Sequence, residues 1–200
     1  MKKLLGILVL IFTLQTPSWA DDIRDFQIEG MSIGDSLLDH FSEEKIKKIK
    51  KSYYPGNDRF FRINIKKPNM EIYESLQFHL KNNDKNYKIY SLSGLIFFRE
   101  MKDNMNKCNK IKKDIVNEIK NLAKDTKMDD EGVVKYDRDK SGKSKHTTVY
   151  FDFVSEDYIK VGCLDYSNEF SEKMGGWFDH LRVSVNFKEY SDWLHNEAFK

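Results

Sequence analysis

The stretch "SIGDSLLDHF", Ser32–Phe41, decides how the rest of the chain is to be arranged. Ile33, Leu37, Leu38 and Phe41 recur at helical spacing, so they share one face of a helix. Gly34 breaks the extended segment before it. Asp35 or Ser36 then offers a side-chain oxygen to the free amides of a helix start. Upstream, "FQIEGMSI" (Phe26–Ile33) is interrupted by glutamate and glycine, so no buried strand runs into this turn. Without such strands and regular crossover helices, a doubly wound parallel sheet is not expected. An antiparallel sheet covered by helices is.

Downstream, "SEEKIKKIKK" (Ser42–Lys51) has its own cap, with acids in the first turn and lysines toward the end. "YYPGND" (Tyr53–Asp58) reads as a turn. "RFFRINIK", "YESLQFHLK" and "NYKIYSLSGLIFF" predict a three-stranded antiparallel meander between residues 59 and 98. A long helix follows, from about Glu100 to Lys124. Residues 125–146 read as a charged excursion. "TTVYFDFV" and "YIKVGCLDY" form a hairpin, "NEFSEKMGGWFDH" is irregular, "LRVSVNF" is a last strand and "KEYSDWLHNEAFK" a last helix. The opening "DDIRDFQIEGM" has room for a short strand. The expected fold is α+β: an antiparallel sheet of about five to seven strands packed by two or three helices.

Residues 1–20, "MKKLLGILVLIFTLQTPSWA", have two lysines, a short apolar run and small residues at Ser18 and Ala20. This is the pattern of a cleaved secretory signal, too short to span a bilayer comfortably. Cleavage would leave residues 21–200 as a single domain in the periplasm or outside the cell, with no transmembrane anchor. The chain has 34 basic and 32 acidic side chains, and the leader takes Lys2 and Lys3 away with it. The balanced remainder gives no reason to expect nucleic acid as a partner.

An oxidising compartment turns two cysteines into one disulfide. Cys108 shares the apolar helix face with Met105, Ile111, Ile115, Ile119 and Leu122. Cys163 alternates with Ile159 and Val161 on one side of a strand. A Cys108–Cys163 bond would therefore pin a helix to the sheet.

The string Gly34-Asp35-Ser36-Leu37 resembles the nucleophile block of the GDSL, or SGNH, hydrolases. That resemblance implies an esterase with Ser36 as nucleophile. Asn57, in "PGND", would serve the oxyanion hole, and Asp192 and His195, in "DWLH", would complete the triad. The chain departs from the family pattern in several ways. No apolar strand precedes Gly34, the glycine of "PGND" is one residue too close to its asparagine, and Asp192 and His195 fall one turn apart on a helix. "IEGMSIGDSLLDHFSEEKIKKIK" is also similar to the opening of small uncharacterised exported proteins of marine alphaproteobacteria. That similarity covers about the first thirty residues after the leader and implies no activity. The same opening resembles, more loosely, OmlA-like envelope lipoproteins.

Other clusters carry less chemistry. Asp137, Asp139, Ser141 and Gly142 begin like a calcium loop, but the twelfth position is Thr148 where a glutamate is required. His40, His79, His146, His180 and His195 show no metal-ligand spacing. Lys45–Lys51 reads as a surface helix with lysines around Ile46 and Ile49; an anionic membrane or a partner is the alternative. Trp177 and Phe178, beside Gly175 and Gly176, mark a candidate surface patch. No cofactor or metal is expected. The expected role is a binding or envelope-accessory module whose partner is an unknown small molecule or an envelope protein, rather than an enzyme.

Overall fold

The computed structural model describes residues 22–66, 70–99 and 103–200. The leader at residues 1–20 lies outside the described residues. Eight strands form one sheet: β1 (Ser52–Tyr53), β2 (Phe60–Ile65), β3 (Ser75–Lys81), β4 (Ile89–Phe98), β5 (Lys127–Lys135), β6 (Lys145–Asp152), β7 (Tyr158–Asp165) and β8 (Asp179–Asn186). Their spatial order is β1-β2-β3-β4-β8-β7-β6-β5. Every pairing is antiparallel. The sheet is thus two four-stranded meanders joined where β4 pairs with β8.

Four α-helices accompany it: α1 (Glu43–Lys48), α2 (Asn104–Leu122), α3 (Asn168–Lys173) and α4 (Lys188–Asn196). The expected count of five to seven strands and two or three helices is corrected to eight and four among the described residues. The extra strands are the two edges. β1 is two residues long and straddles the start of what reads as a turn. β5 has no buried residue, so no apolar alternation marks it. It is the charged excursion of residues 125–146 that holds this strand. The helix hidden in the "irregular" segment is α3, six residues long and started by Ser167, whose Oγ accepts from the Phe170 amide.

Alternation assigns the two faces of the sheet. On one face Phe61, Ile63, Leu76, Phe78, Leu80, Leu92, Val149, Phe151, Val161, Val183 and Val185 are buried in a single core. α2 crosses β7 and β8 there and contributes Cys108, Ile115 and Ile119. Cys108 and Cys163 are disulfide-bonded, with Cα atoms 5.9 Å apart. The N-terminal segment joins the same core through Ile23, Phe26, Met31, Ile33, Leu37, Phe41 and Ile46. The edge of Phe41 meets the ring of Phe78 at 6.3 Å.

The opening segment departs from its expected form. After Gly34 the chain makes a 3-10 turn, Leu37–Asp39, before the short α1. Leu37 and Phe41 are buried as expected, but Leu38 is exposed. A 3-10 turn advances three residues per turn, which turns Leu38 away from the sheet. The strand expected near the N-terminus is only an isolated bridge between Ile28 and Met31. Ser42 caps α1 as its position suggests, accepting from the Lys45 amide. No helix among the described residues is long and apolar enough to cross a membrane.

Candidate functional site

The second face of the sheet is polar, yet much of it is buried. Residues directly opposite in an antiparallel ladder point to the same side. One row runs Arg62, His79, Ser91, Asn186; the next runs Asn64, Gln77, Ser93, Ser184. Beyond them come Ser75, Leu95 and Arg182, and then Phe97 with His180. Ser75, Gln77, His79, Ser91, Ser93, His180, Ser184 and Asn186 are all buried. None of these positions carries an acid.

Burial of polar groups requires partners, and most of this face has them. Ser91 Oγ donates to Asn186 Oδ1 at 2.7 Å, and the Ser93 and Ser184 hydroxyls meet at 2.8 Å. Since the Ser91 proton is committed to Asn186, Nδ1 of His79 donates to Ser91 Oγ, at 3.3 Å. His79 Nε2 is then an acceptor and receives a hydrogen bond from the Tyr54 hydroxyl at 2.9 Å; Tyr190 in turn donates to Tyr54 at 3.1 Å. Burial, with Arg182 and Arg62 nearby, holds His79 well below the usual histidine pKa. α4 roofs this end. Tyr190 stacks on His79 at 4.5 Å, and Trp193 packs on Phe60 at 4.9 Å.

The other end is not roofed. Between the sheet and the segment following α3 lies a cleft of ≈ 280 Å³, lined by Arg62, Asn64, Ser75, Gln77, Leu95, Phe97, Tyr166, Trp177, Phe178, His180 and Arg182. Arg182 reaches across β4 and donates from Nη1 to Gln77 Oε1 at 2.7 Å; Gln77 Nε2 donates in turn to Asn64 Oδ1 at 3.0 Å. Among the described residues no carboxylate pairs with Arg62 or Arg182. Burial lowers the pKa of Arg182; nearby Tyr166, Tyr190 and Tyr54 favour its charge and Arg62 opposes it. Nε of Arg62 and Nε2 of His180 are buried with no hydrogen-bond partner.

The rim is assembled from distant parts of the chain. Asp139 is the hub of the β5–β6 loop. Its carboxylate accepts from the amides and hydroxyls of Ser141 and Ser144 and from the Ser167 hydroxyl. Those bonds, led by that of Ser144, hold its pKa well below the usual carboxylate range. The loop that begins like a calcium site is therefore closed on its own serines. No group of three or more His, Cys, Asp or Glu among the described residues is placed to hold a metal ion. Asp139 also fixes the start of α3. Past its end, Gly175 and Gly176 have φ of +81° and +85°, a region that favours glycine. They turn the chain back toward β8 and deliver Trp177 and Phe178 to the cleft. Arg138 lies over the Trp177 ring at 5.3 Å, and Arg99 over Phe97 and Phe178 at 5.5 Å each.

The structure places the other sequence candidates elsewhere. Ser36 Oγ accepts from the Leu38 amide at 3.2 Å and donates to the Asn86 carbonyl at 2.6 Å, as a turn cap does. Asp192 and His195 are exposed on α4. Asp192 pairs with Lys188, and Nδ1 of His195 lies 3.4 Å from Ser191 Oγ. Asn57 Oδ1 accepts from the Arg59 amide, and its Nδ2 donates to Glu197. None of these contacts joins Ser36 to Asp192 or His195, and no parallel strand leads to Ser36. Trp177 and Phe178, by contrast, stand at the cleft. Arg62, Gln77, His180 and Arg182 were not singled out by the sequence as a group. The signal they carry is compositional: the polar positions of β2, β3 and β8 that line the cleft hold Ser, Asn, Gln, His and Arg in place of the Lys and Glu typical of a solvated face.

Comparison with protein-family models, with curated proteins and with solved structures returned no match.

Proposed function

We propose that the domain is a binding module whose ligand is a small organic anion held in the cleft of the polar sheet face. The observation that carries this is the pair Arg62 and Arg182: two guanidinium groups in one cleft, with no carboxylate to balance them among the described residues. A charge held partly out of water without a counter-charge is costly, and an arriving anion supplies the missing one. The planar guanidinium fork suits carboxylate or phosphate oxygens. Phe97, Trp177 and Phe178 offer flat apolar walls for the rest of the molecule. At ≈ 280 Å³ the cleft is at the lower end for ligand sites, so it takes an acid carrying about one aromatic ring. The Cys108–Cys163 disulfide and the leader pattern support an exported location, periplasmic or secreted.

Calorimetric titration with 3-phenylpropionate and with its neutral isostere 3-phenylpropanamide tests this. The acid binds and the amide does not, and Arg182→Met removes the difference. Equal behaviour of acid and amide, or no binding by either, overturns the proposal.

A further inference from the structure

We infer that the anion taken by the cleft is a carboxylate that also carries an N–H or O–H donor, received by Nε2 of His180. This rests on the cleft being the ligand site. His180 is 6 % exposed, and its Nδ1 lies 3.0 Å from the carbonyl oxygen of Phe178. A carbonyl can only accept, so Nδ1 carries the ring proton. The ring is neutral, because burial and then Arg182 push its pKa down to about 4. A neutral ring protonated on Nδ1 leaves a lone pair on Nε2. That atom has no partner, whereas Ser91, Ser93, Ser184 and Asn186, further along the same face, are all matched.

The mismatch is one of type. Arg182, and Arg62 through its unpartnered Nε, bring donors to the cleft; His180 brings an acceptor. An anion alone satisfies the arginines and leaves the imidazole unpaired. His180 and Arg182 lie two residues apart on the same side of β8, which sets their Cα atoms about 7 Å apart at a strand's rise of about 3.3 Å per residue. One short molecule spans that interval with its acid and its donor on neighbouring carbons. Nε2 is closed to solvent, and the rings of Phe97 and Tyr166 stand 5.9 and 5.8 Å from the imidazole. Binding therefore requires a side chain of the cleft to move, and Phe178, half exposed and just after the Gly175–Gly176 turn, is the one free to do so on this proposal. A 2-hydroxy acid and an N-acyl amino acid both meet the requirement.

The test is calorimetric titration at pH 7 of 3-phenylpropionate, 3-phenyllactate and N-acetylphenylalanine. At least one donor-bearing acid binds about fivefold or more tightly than 3-phenylpropionate, the gain expected of one net hydrogen bond. Whichever binds better identifies the source, hydroxy acid or acylated amino acid. In His180→Phe the ratio falls to about one. A second readout needs no variant: in the ¹⁵N spectrum of the wild-type protein, His180 Nε2 shifts with the donor-bearing acid and not with 3-phenylpropionate. Equal binding of all three acids, a ratio that survives His180→Phe, or an unmoved Nε2 resonance overturns this inference and leaves the anion site standing. Failure of every acid to bind overturns the site itself.

Discussion

Arg182 should be a residue that the unliganded fold would be more stable without. Replacing it with methionine keeps an unbranched apolar stem, stops short of the guanidinium nitrogens and removes the charge. Two contributions favour the variant: relief of the desolvation of a partly buried cation, a few kcal/mol in effect, and loss of the repulsion from Arg62. Two oppose it. The charge-assisted bond to Gln77, 2.7 Å long, is lost at about 1.5–3 kcal/mol, and Oε1 of Gln77 is left unpaired at about 1–3 kcal/mol. These nearly cancel, so R182M unfolds within about 1 kcal/mol of the parent. Removing the orphan as well, in the double variant Q77L/R182M, gives up only the Gln77 Nε2 bond to the exposed Asn64 and leaves mainly the favourable part. That protein is more stable than R182M by about 1–3 kcal/mol, the cost of the unpaired acceptor it no longer carries. Both variants lose the preference for acid over amide. Urea unfolding at pH 7, followed by tryptophan fluorescence, measures the midpoints. A loss of about 3 kcal/mol or more in R182M would show an internally compensated guanidinium, and the binding argument built on it would fail.

Three further outcomes follow from the same structure. Acid destabilises the fold through its buried histidines: His180 falls from 6.5 to about 4 and His79 shifts the same way, so both are neutral when folded and protonate more readily when unfolded. Their contribution is complete above pH 6.5 and lost as the pH drops toward 4, by roughly 3 kcal/mol for His180 alone; urea midpoints at pH 7 and pH 4.5 check it, and His180→Phe should flatten the dependence. Reducing Cys108–Cys163, which closes a loop of 55 residues, lowers stability by about 4 kcal/mol in the chain-entropy account, measured as the shift in urea midpoint with and without reductant. Ser36→Ala removes a turn cap and a bond to the Asn86 carbonyl, costing about 1 kcal/mol by the same assay, and leaves ligand affinity unchanged because the serine is not part of the cleft.

The elements that pack apolar residues at a regular period were legible in the chain. β2, β3, β4, β6, β7 and β8 alternate, and α2 and α4 repeat at three and four. The disulfide followed from two such periods meeting. Elements without an apolar face were not legible: β5 is exposed throughout, β1 has two residues, and α3 buries only Phe170. These are set by pairing and capping, which periodicity does not encode. The cleft was hidden for a related reason. In "ESLQFHL" the alternation separates Leu76, Phe78 and Leu80 from Ser75, Gln77 and His79, and an alternating polar side is normally given to water. Alternation reports which face is polar, not what covers it. α4 and the segment after Gly176 cover this one, and both arrive from the far end of the chain.

The outermost strand has a consequence for how copies of the molecule treat one another. β5 reads Lys127, Met128, Asp129, Asp130, Glu131, Gly132, Val133, Val134, Lys135, with its outer rim unpaired. Two such rims meeting antiparallel about Glu131 would set lysine against lysine at both ends and glutamate against glutamate in the middle. Like charges placed directly opposite repel. The ladder to β6 also shifts register between Asp130 and Val133, where Gly132 has a φ of +64°, so the rim is not straight. Nine residues that add nothing to the core thus act as an electrostatic selvedge, ending the sheet where the molecule ends and denying it to its own kind.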